Sequence, residues 1–405
     1  MKTLKSILFL AAVSVAFLPM FGLDLSYTLP IMAGLAGVAY FLPKQAGVLN
    51  STLPVDVWDA LNASIIRRNP DTKQIPSFLR SFFRVEHTDS LNILLGTKRG
   101  GRKVAVDTNI QTKSRMHKRQ VGKLDIVQPP LYSYYTPLTL SDMYNGFSRL
   151  FFTDNLTVND MSIVDDFGRV IANDLDEIAD TIDMAKELQC AQLLSNGIVS
   201  LRNNDNIDFG RVGASIVGAG AGKLWGTSGA EYIKSITTGV DWIKSNAKNN
   251  STSFHIIMGG DAFANFISST EIQERNDVKN FQLDELFAGR PVPSGGTYWG
   301  TLSLSNGIRA NIWSYDAKYE LEDGTEKNFL DKDSVIMIPD QNQFVFNQSE
   351  VKYLPGTTNT GRYRGMYTRD HMDNKEQVHF YFLEDRFLAV TQEINEVYTL
   401  LTQTA

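Results

Sequence analysis

The chain has 405 residues, with 39 Lys and Arg against 45 Asp and Glu, a formal net charge of −6 and 43% hydrophobic residues. That balance describes a folded chain long enough for two or more subdomains, and it argues against a dedicated DNA-binding surface. A single cysteine, Cys190, excludes an intramolecular disulfide and a multi-cysteine zinc site.

Lys2 and Lys5 precede two uncharged runs, Ser6 to Leu23 and Leu25 to Pro43, parted only by Asp24. The first resembles the basic and apolar parts of a signal peptide, yet no good A-x-A-like cleavage site separates the two. Each run of roughly 18 residues is marginal for a membrane span. Three readings stay open: a secretion signal, a short membrane hairpin, or an apolar arm buried by other subunits. From Asn50 to Arg84 a polar segment with short helical patches ends in Phe78-Leu79-Arg80-Ser81-Phe82-Phe83-Arg84. That cluster reads either as an amphipathic edge anchored onto something apolar or as a core-facing patch at a helix end.

Residues 88–137 look extended, with strand character at Val104-Ala105-Val106 and Leu124-Asp125-Ile126-Val127 and a turn at Gly100-Gly101. Nine basic residues fall between Lys98 and Lys123 (Lys98, Arg99, Arg102, Lys103, Lys113, Arg115, Lys118, Arg119, Lys123), opposed only by Asp107. No aromatic residues interleave with them for base stacking, so protein contact is favoured over nucleic-acid readout.

The dominant element runs from Thr157 to Gly197. Ile163, Phe167, Val170, Ile171, Leu175, Ile178, Ile182, Ala185, Leu188, Ala191 and Leu194 recur at the three- and four-residue steps of one helix face. Asn159 or Ser162 caps its start and Ser195-Asn196-Gly197 supplies its stop. Such a helix, about 54 Å long, overruns an ordinary small core and suits a flat or elongated molecule. Its more polar side carries Asp165, Asp166, Asp174, Asp176, Glu177, Asp180, Asp183 and Glu187 against Arg169 and Lys186. This is either a solvated face or the seat of a basic partner. Cys190, near the apolar stripe, reads as a small buried hydrophobe.

Arg202 to Gly229 reads as a polar, glycine-rich flexible loop. Gly218-Ala219-Gly220-Ala221-Gly222-Lys223 fails the phosphate-loop spacing, because Val217 stands at the first glycine position and Leu224 follows the lysine. The dinucleotide fingerprint fails at Lys223. A helix over 230–247 and a buried strand from Ser253 to Met258 follow, and Gly259-Gly260-Asp261 turns that strand into a helix through Ile267. Further strands are expected at 308–314, 317–322, 334–339, Val378 to Phe382 and around Phe387 to Val390, with an Asp-Gly hairpin turn at Glu322-Asp323-Gly324-Thr325. Without a regular βαβ rhythm, the pattern is α+β.

No catalytic constellation survives spacing. Gly226-Thr227-Ser228-Gly229 is one residue short of a nucleophile elbow, and no H-E-x-x-H occurs. His87, His117, His255, His371 and His379 are scattered, and His255 reads as a core or edge histidine. No catalytic, cofactor or metal residue is therefore assigned, and no enzyme activity is expected.

Taken in order, several blocks resemble the lambda-type major capsid proteins of tailed phages, which have the Hong-Kong-97 fold. They are Phe78 to Arg84; the long helix ending in Leu193-Leu194-Ser195-Asn196-Gly197; Phe209-Gly210-Arg211 and the glycine-rich loop to Trp225; Ser253 to Ile267; and Tyr315-Asp316-Ala317-Lys318-Tyr319 through Lys327-Asn328-Phe329-Leu330 to Ser334-Val335-Ile336-Met337-Ile338. The resemblance covers about residues 75 to 395. It implies an N-terminal arm (46–87) behind an apolar segment (1–45), an extended loop (88–137), a peripheral domain on a spine helix (138–250), an axial domain (251–365) and a return to the peripheral domain (366–405).

It also implies self-assembly through hexamers and pentamers into an icosahedral shell around double-stranded DNA, bound without sequence specificity. The virion is the expected location, with assembly in the host cytoplasm. Portal, scaffold or maturation protease are the implied partners, with a decoration protein besides and membrane contact through residues 6–43 left open. An encapsulin-like compartment shell shares the fold, and the first 43 residues raise the rival of a membrane-anchored or secreted enzyme. Within a shell, the basic loop of one subunit is expected over the acidic spine helix of the next.

Overall fold

A computed structural model describes residues 75–90, 92–97, 123–138, 162–201, 206–247, 250–278, 289–304, 307–352, 362–373 and 378–403. The described residues between Ser133 and Ala179 and between Met366 and Glu384 form one compact unit. Those between Asn69 and Tyr132, Asp180 and Gly365, and Asp385 and Ala405 form a second.

In chain order, a 3-10 turn (Leu79–Phe82) leads into β1 (Arg84–Thr88). β2 (Ile93–Thr97) pairs with β3 (Lys123–Val127), and β4 (Leu131–Leu138) follows. The long helix α1 (Ser162–Ser195) precedes β5 (Ile198–Val199), β6 (Ile207–Asp208), β7 (Ile216–Gly218) and α2 (Tyr232–Asn246). Next come β8 (Ser253–Met258), α3 (Gly260–Ile267), α4 (Thr270–Val278), β9 (Arg290–Pro291), β10 (Thr297–Ser303) and β11 (Arg309–Ser314). A hairpin of β12 (Lys318–Glu320) and β13 (Glu326–Asn328) leads to β14 (Ser334–Pro339), β15 (Phe344–Lys352) and β16 (Arg362–Arg364). β17 (Tyr367–Asp373), β18 (Val378–Thr391) and β19 (Tyr398–Leu401) complete the chain.

The second unit is built on a seven-stranded mixed sheet in the order β7-β19-β14-β8-β11-β10-β9. Its interior strand β14 is buried at all six positions, as the uninterrupted apolar run Val335 to Ile338 requires of a strand covered on both faces. Period-2 alternation splits the side chains. Phe254, Ile256 and Met258 of β8, with Val335 and Met337 of β14, join a core formed by Trp225, Ile236, Val240, Phe266 and Tyr398, while Ile257, Ile336 and Ile338 lie outside that core. α2 covers this core with Ile233, Ile236, Val240 and Ile243 at helical spacing. One core thus draws on residues from both sides of position 250.

The same unit holds β1 parallel to β15, from Arg84↔Val345 to Thr88↔Ser349, and β15 antiparallel to the later half of β18. In the first unit, β17 pairs with the earlier half of β18, from Tyr367↔Glu384 to Asp373↔Val378.

Gly239 of α2 lies close against the sheet. A Cβ there would meet Met337 Sδ and lie 2.7 Å from Tyr398 Cδ1. Gly239→Ala gains about 1 kcal/mol of helix propensity, but overpacking costs about 1–3 kcal/mol. Chemical denaturation should therefore show a net loss of stability; a gain would mean that α2 can lift off the sheet.

Several expectations shift in detail. α1 has 34 residues, ending within two residues of the expected stop. The stretch from Arg202 to Gly229 is not all loop: β7 lies within it and pairs parallel with β19, from Thr399↔Ile216 to Leu401↔Gly218. Its glycines hide three ladder residues, which pattern reading cannot separate from a loop. The two C-terminal strands are one, β18, because Glu384 and Asp385 are buried inside the strand and do not break it. The strand expected at Val104 to Val106, the basic residues from Lys98 to Arg119 and the apolar runs between Ser6 and Pro43 lie outside the described residues.

Candidate functional site

The Phe78–Arg84 cluster is an anchor. Phe78, Leu79 and Phe83 are buried, and the Phe78 ring lies 5.1 Å from Trp313 and 5.3 Å from Tyr315. The 3-10 turn has no side-chain cap of its own, so its first N–H groups need acceptors from elsewhere. Glu187 of α1 supplies them. Its Oε1 accepts from Leu79 N at 2.7 Å and Tyr315 Oη at 2.9 Å, and its Oε2 accepts from Arg80 N at 3.0 Å.

One turn earlier on α1, Asp183 Oδ1 takes the Arg80 guanidinium at 3.2 Å and Lys186 Nζ at 3.1 Å. Lys186 Nζ also meets Asp385 Oδ2 of β18 at 2.8 Å and lies over the Phe387 ring. Two cations and two of the carboxylates thus share one nearly dry site, where an unpaired charge would be costly.

Burial raises the pKa of Glu187, against the backbone N–H groups of Leu79 and Arg80, the Tyr315 hydroxyl and the Arg80 charge, which pull it down. Burial also raises the Cys190 thiol well above its usual value, with the Glu187 charge adding to it. The Tyr315 phenol is raised by burial first and by Glu187 second. Cys190 is free and buried, so its reading as a small hydrophobe holds.

The acidic stripe of α1 is therefore two things. Asp183 and Glu187 point inward, while Asp174, Asp176 and Asp180 are half-buried and Glu177 is exposed. The carboxyl of Asp174 is raised by burial and then by the Glu177 charge. The signal for the inward pair was phase: Ile171, Leu175, Ala179, Asp183, Glu187 and Ala191 follow at steps of four, so both acids fall in the apolar row.

The helix end is held by Arg211. Gly197 ends α1 with φ +73°, the left-handed conformation glycine adopts most readily. Arg211 Nη1 donates to the last carbonyls, Leu194 O at 2.7 Å and Ser195 O at 2.8 Å. Its Nη2 reaches Thr399 Oγ1 of β19 at 2.7 Å and Ser215 O at 3.2 Å, and its Nε reaches Ser215 Oγ at 2.9 Å. Burial pushes the guanidinium pKa down to about 9, still above neutrality, so it remains a cation facing only neutral acceptors.

Elsewhere, the Lys223 of the rejected phosphate loop pairs with Glu231 at 3.1 Å. His255 lies within the seven-stranded sheet. Its Nδ1 accepts from Trp313 Nε1 at 3.1 Å, so Nε2 carries the proton and donates to Asp340 at 3.1 Å. A groove of about 650 Å³ opens beside it, lined by Ser81 to Arg84 and Asn342 to Val345. In the first unit, the half-exposed ring of Tyr135 packs against Phe380 and Phe382, and Arg369 lies over Phe382 while pairing with Glu384. Among the described residues no cluster of His, Cys, Asp and Glu could hold a metal, and no helix is long and apolar enough to cross a membrane.

Comparison with known proteins follows the same lines. The family described as phage major capsid protein E matches residues 79–381, a span that includes Leu79, Arg80, Asp183, Lys186, Glu187 and Tyr315 of the joint between the turn, α1 and β18, while Phe78, Asp385 and Phe387 lie outside it. No curated protein matches the sequence. Among solved structures, a protein described as a capsid protein of a prophage of E. coli CFT073 is 16% identical with a TM-score of 0.57, covering 85% of this chain and 98% of that one. The mature capsid of bacteriophage PhiM1 is 12% identical with a TM-score of 0.42, covering 89% of this chain and 91% of its own.

Proposed function

We infer that this chain, which belongs to the phage major capsid protein E family, assembles through hexamers and pentamers into an icosahedral head shell enclosing double-stranded DNA. It is a major capsid protein with the α+β, Hong-Kong-97-type fold. The observation that carries the reading is the family match over residues 79–381, which begins at the anchored turn and takes in α1 and most of the mixed sheet.

In this reading α1 is the spine of a tile, residues 88–137 reach over a neighbour, and the virion is where the protein resides. Portal, scaffold or maturation protease are its partners, and no cofactor is needed. Closed rings require heterologous contacts, in which one surface meets a different surface of the next copy.

The basic stretch Lys98 to Lys123 and the acids of α1 supply one such contact. Asp183 and Glu187 are committed within the subunit, and Asp174, Glu177 and Asp180, on the more polar side of α1, are the targets of this contact. Like-charge crowding at Asp174 and Glu177 would be relieved by a cation. A single exposed pair contributes only about 0–1 kcal/mol, yet repetition around a ring sets register.

Electron microscopy of the expressed protein tests the main reading: closed icosahedral particles are expected, and a uniformly monomeric product would overturn it. Reversing Lys113, Arg115, Lys118 and Arg119 to Glu should block assembly of a folded subunit. Reversing Asp174, Glu177 and Asp180 to Lys in the same chain should restore part of it. Normal assembly of the fourfold variant at low salt would sink the pairing.

A further inference from the structure

We propose that Glu187 is the receptor that clamps the amino-terminal arm onto the long helix, and that subunits need the arm so clamped to build a shell. The second half rests on the shell reading above; the first stands alone.

The geometry is that of a helix cap delivered from a distance. A helical turn leaves its first N–H groups without intrahelical partners, and a Ser, Thr, Asp or Asn just before it ordinarily answers them. Here Phe78 stands at that place and cannot, and the acceptor comes from 108 residues away. Both oxygens of Glu187 are occupied by donors from two other elements, the turn and Tyr315, and the side chain is fully buried. A buried carboxylate accepting backbone N–H groups makes a strong, directional bond, stronger than a neutral side chain of the same shape makes.

The clamp also has a direction. Upstream of the turn, Ser77 N donates to Ser294 O at 2.9 Å, so the chain is held on both sides of Phe78 before it runs back towards its amino terminus. The described start of the arm, from Ile75 to the turn, is therefore held at a fixed point of this unit. In the shell reading, the contacts of the arm with a neighbouring copy depend on where that start is held. A subunit with a loose arm is a folded tile with one contact unaimed.

The test is Glu187→Gln in the full chain. Glutamine keeps the shape but presents an NH2 group to one of the donors that the carboxylate now satisfies. Hydrogen exchange followed by mass spectrometry should show residues 75–84 exchanging about tenfold faster, with 253–258 and 334–339 unchanged. Particle yield should fall at least about tenfold under conditions where the wild type assembles. Unchanged exchange in 75–84 overturns the clamp. Faster exchange with wild-type particle yield overturns its role in assembly. A wild type that forms no particles would instead defeat the shell reading and leave the exchange result to judge the clamp. Should Glu187→Gln fail to fold, Glu187→Asp, which keeps the charge but withdraws it by one methylene, is judged by the same two readouts.

Discussion

Lys186→Met is expected to destabilise the subunit by about 3–5 kcal/mol, the largest effect of any single substitution considered for the joint. The ammonium lies 2.8 Å from Asp385 and 3.1 Å from Asp183, and all three side chains are nearly or fully buried. Removing it leaves Asp183 with Arg80, but leaves Asp385 with no cation within ion-pair distance among the pairs at this joint. A buried carboxylate stripped of its partner costs far more than the pair contributed while intact. Asp385→Asn in the Lys186→Met background should recover part of the loss, since it removes the stranded charge. Denaturant unfolding of purified subunits measures both. A single variant within about 1 kcal/mol of wild type would mean that water reaches the joint.

Arg211→Ala is expected to cost about 2–4 kcal/mol, by a different mechanism. No charge is stranded; instead the Leu194 and Ser195 carbonyls lose their strongest donor. The Thr399 hydroxyl remains near them at 3.4 and 3.3 Å, too long to compensate fully. Arg211→Lys should recover little, because one ammonium cannot reproduce a fork that reaches α1, β19 and Ser215 together. The same unfolding measurement decides, and equal stability of the Lys variant and wild type would show that the fork geometry is not needed.

The elements were largely legible because their signals are local. β8 and β14 announce themselves as continuous apolar runs, α1 and α2 as three- and four-residue spacing, and the β12–β13 turn as Asp323-Gly324. The resemblance blocks lay on those same elements. The joint was not legible in the same way. Phe78 to Arg84 could be read as an anchor, yet nothing nearby says that its acceptor is Glu187 or that Lys186 answers Asp385. An acidic residue on a helix looks solvated unless its phase is compared with the apolar row, and one of the two cations on Asp183, Arg80, lies 103 residues away. Arg211 stands out in the sequence only within Phe209-Gly210-Arg211, since a buried arginine facing carbonyls has no sequence signature. β7 was missed because three residues between glycines carry too little pattern to show a ladder.

The place of β19 within the seven-stranded sheet constrains how the chain is made. This strand is the last of the described ones, yet it sits between β7 and β14 and is the only described neighbour of β7. Trp225 N donates to Thr402 O and Thr402 N to Asp333 O, so the glycine-rich loop and the start of β14 are also closed by this late segment. At ribosomal rates of about 5–20 residues per second, β7 emerges on the order of 10–40 s before the partner that completes it. A nascent chain can form α2 and the β8–β11 pairing but leaves the side of β14 that awaits β19 open. Synthesis of β19 therefore acts as the switch that closes the sheet, and a chain stopped before it would expose an unpaired strand edge instead of a finished tile.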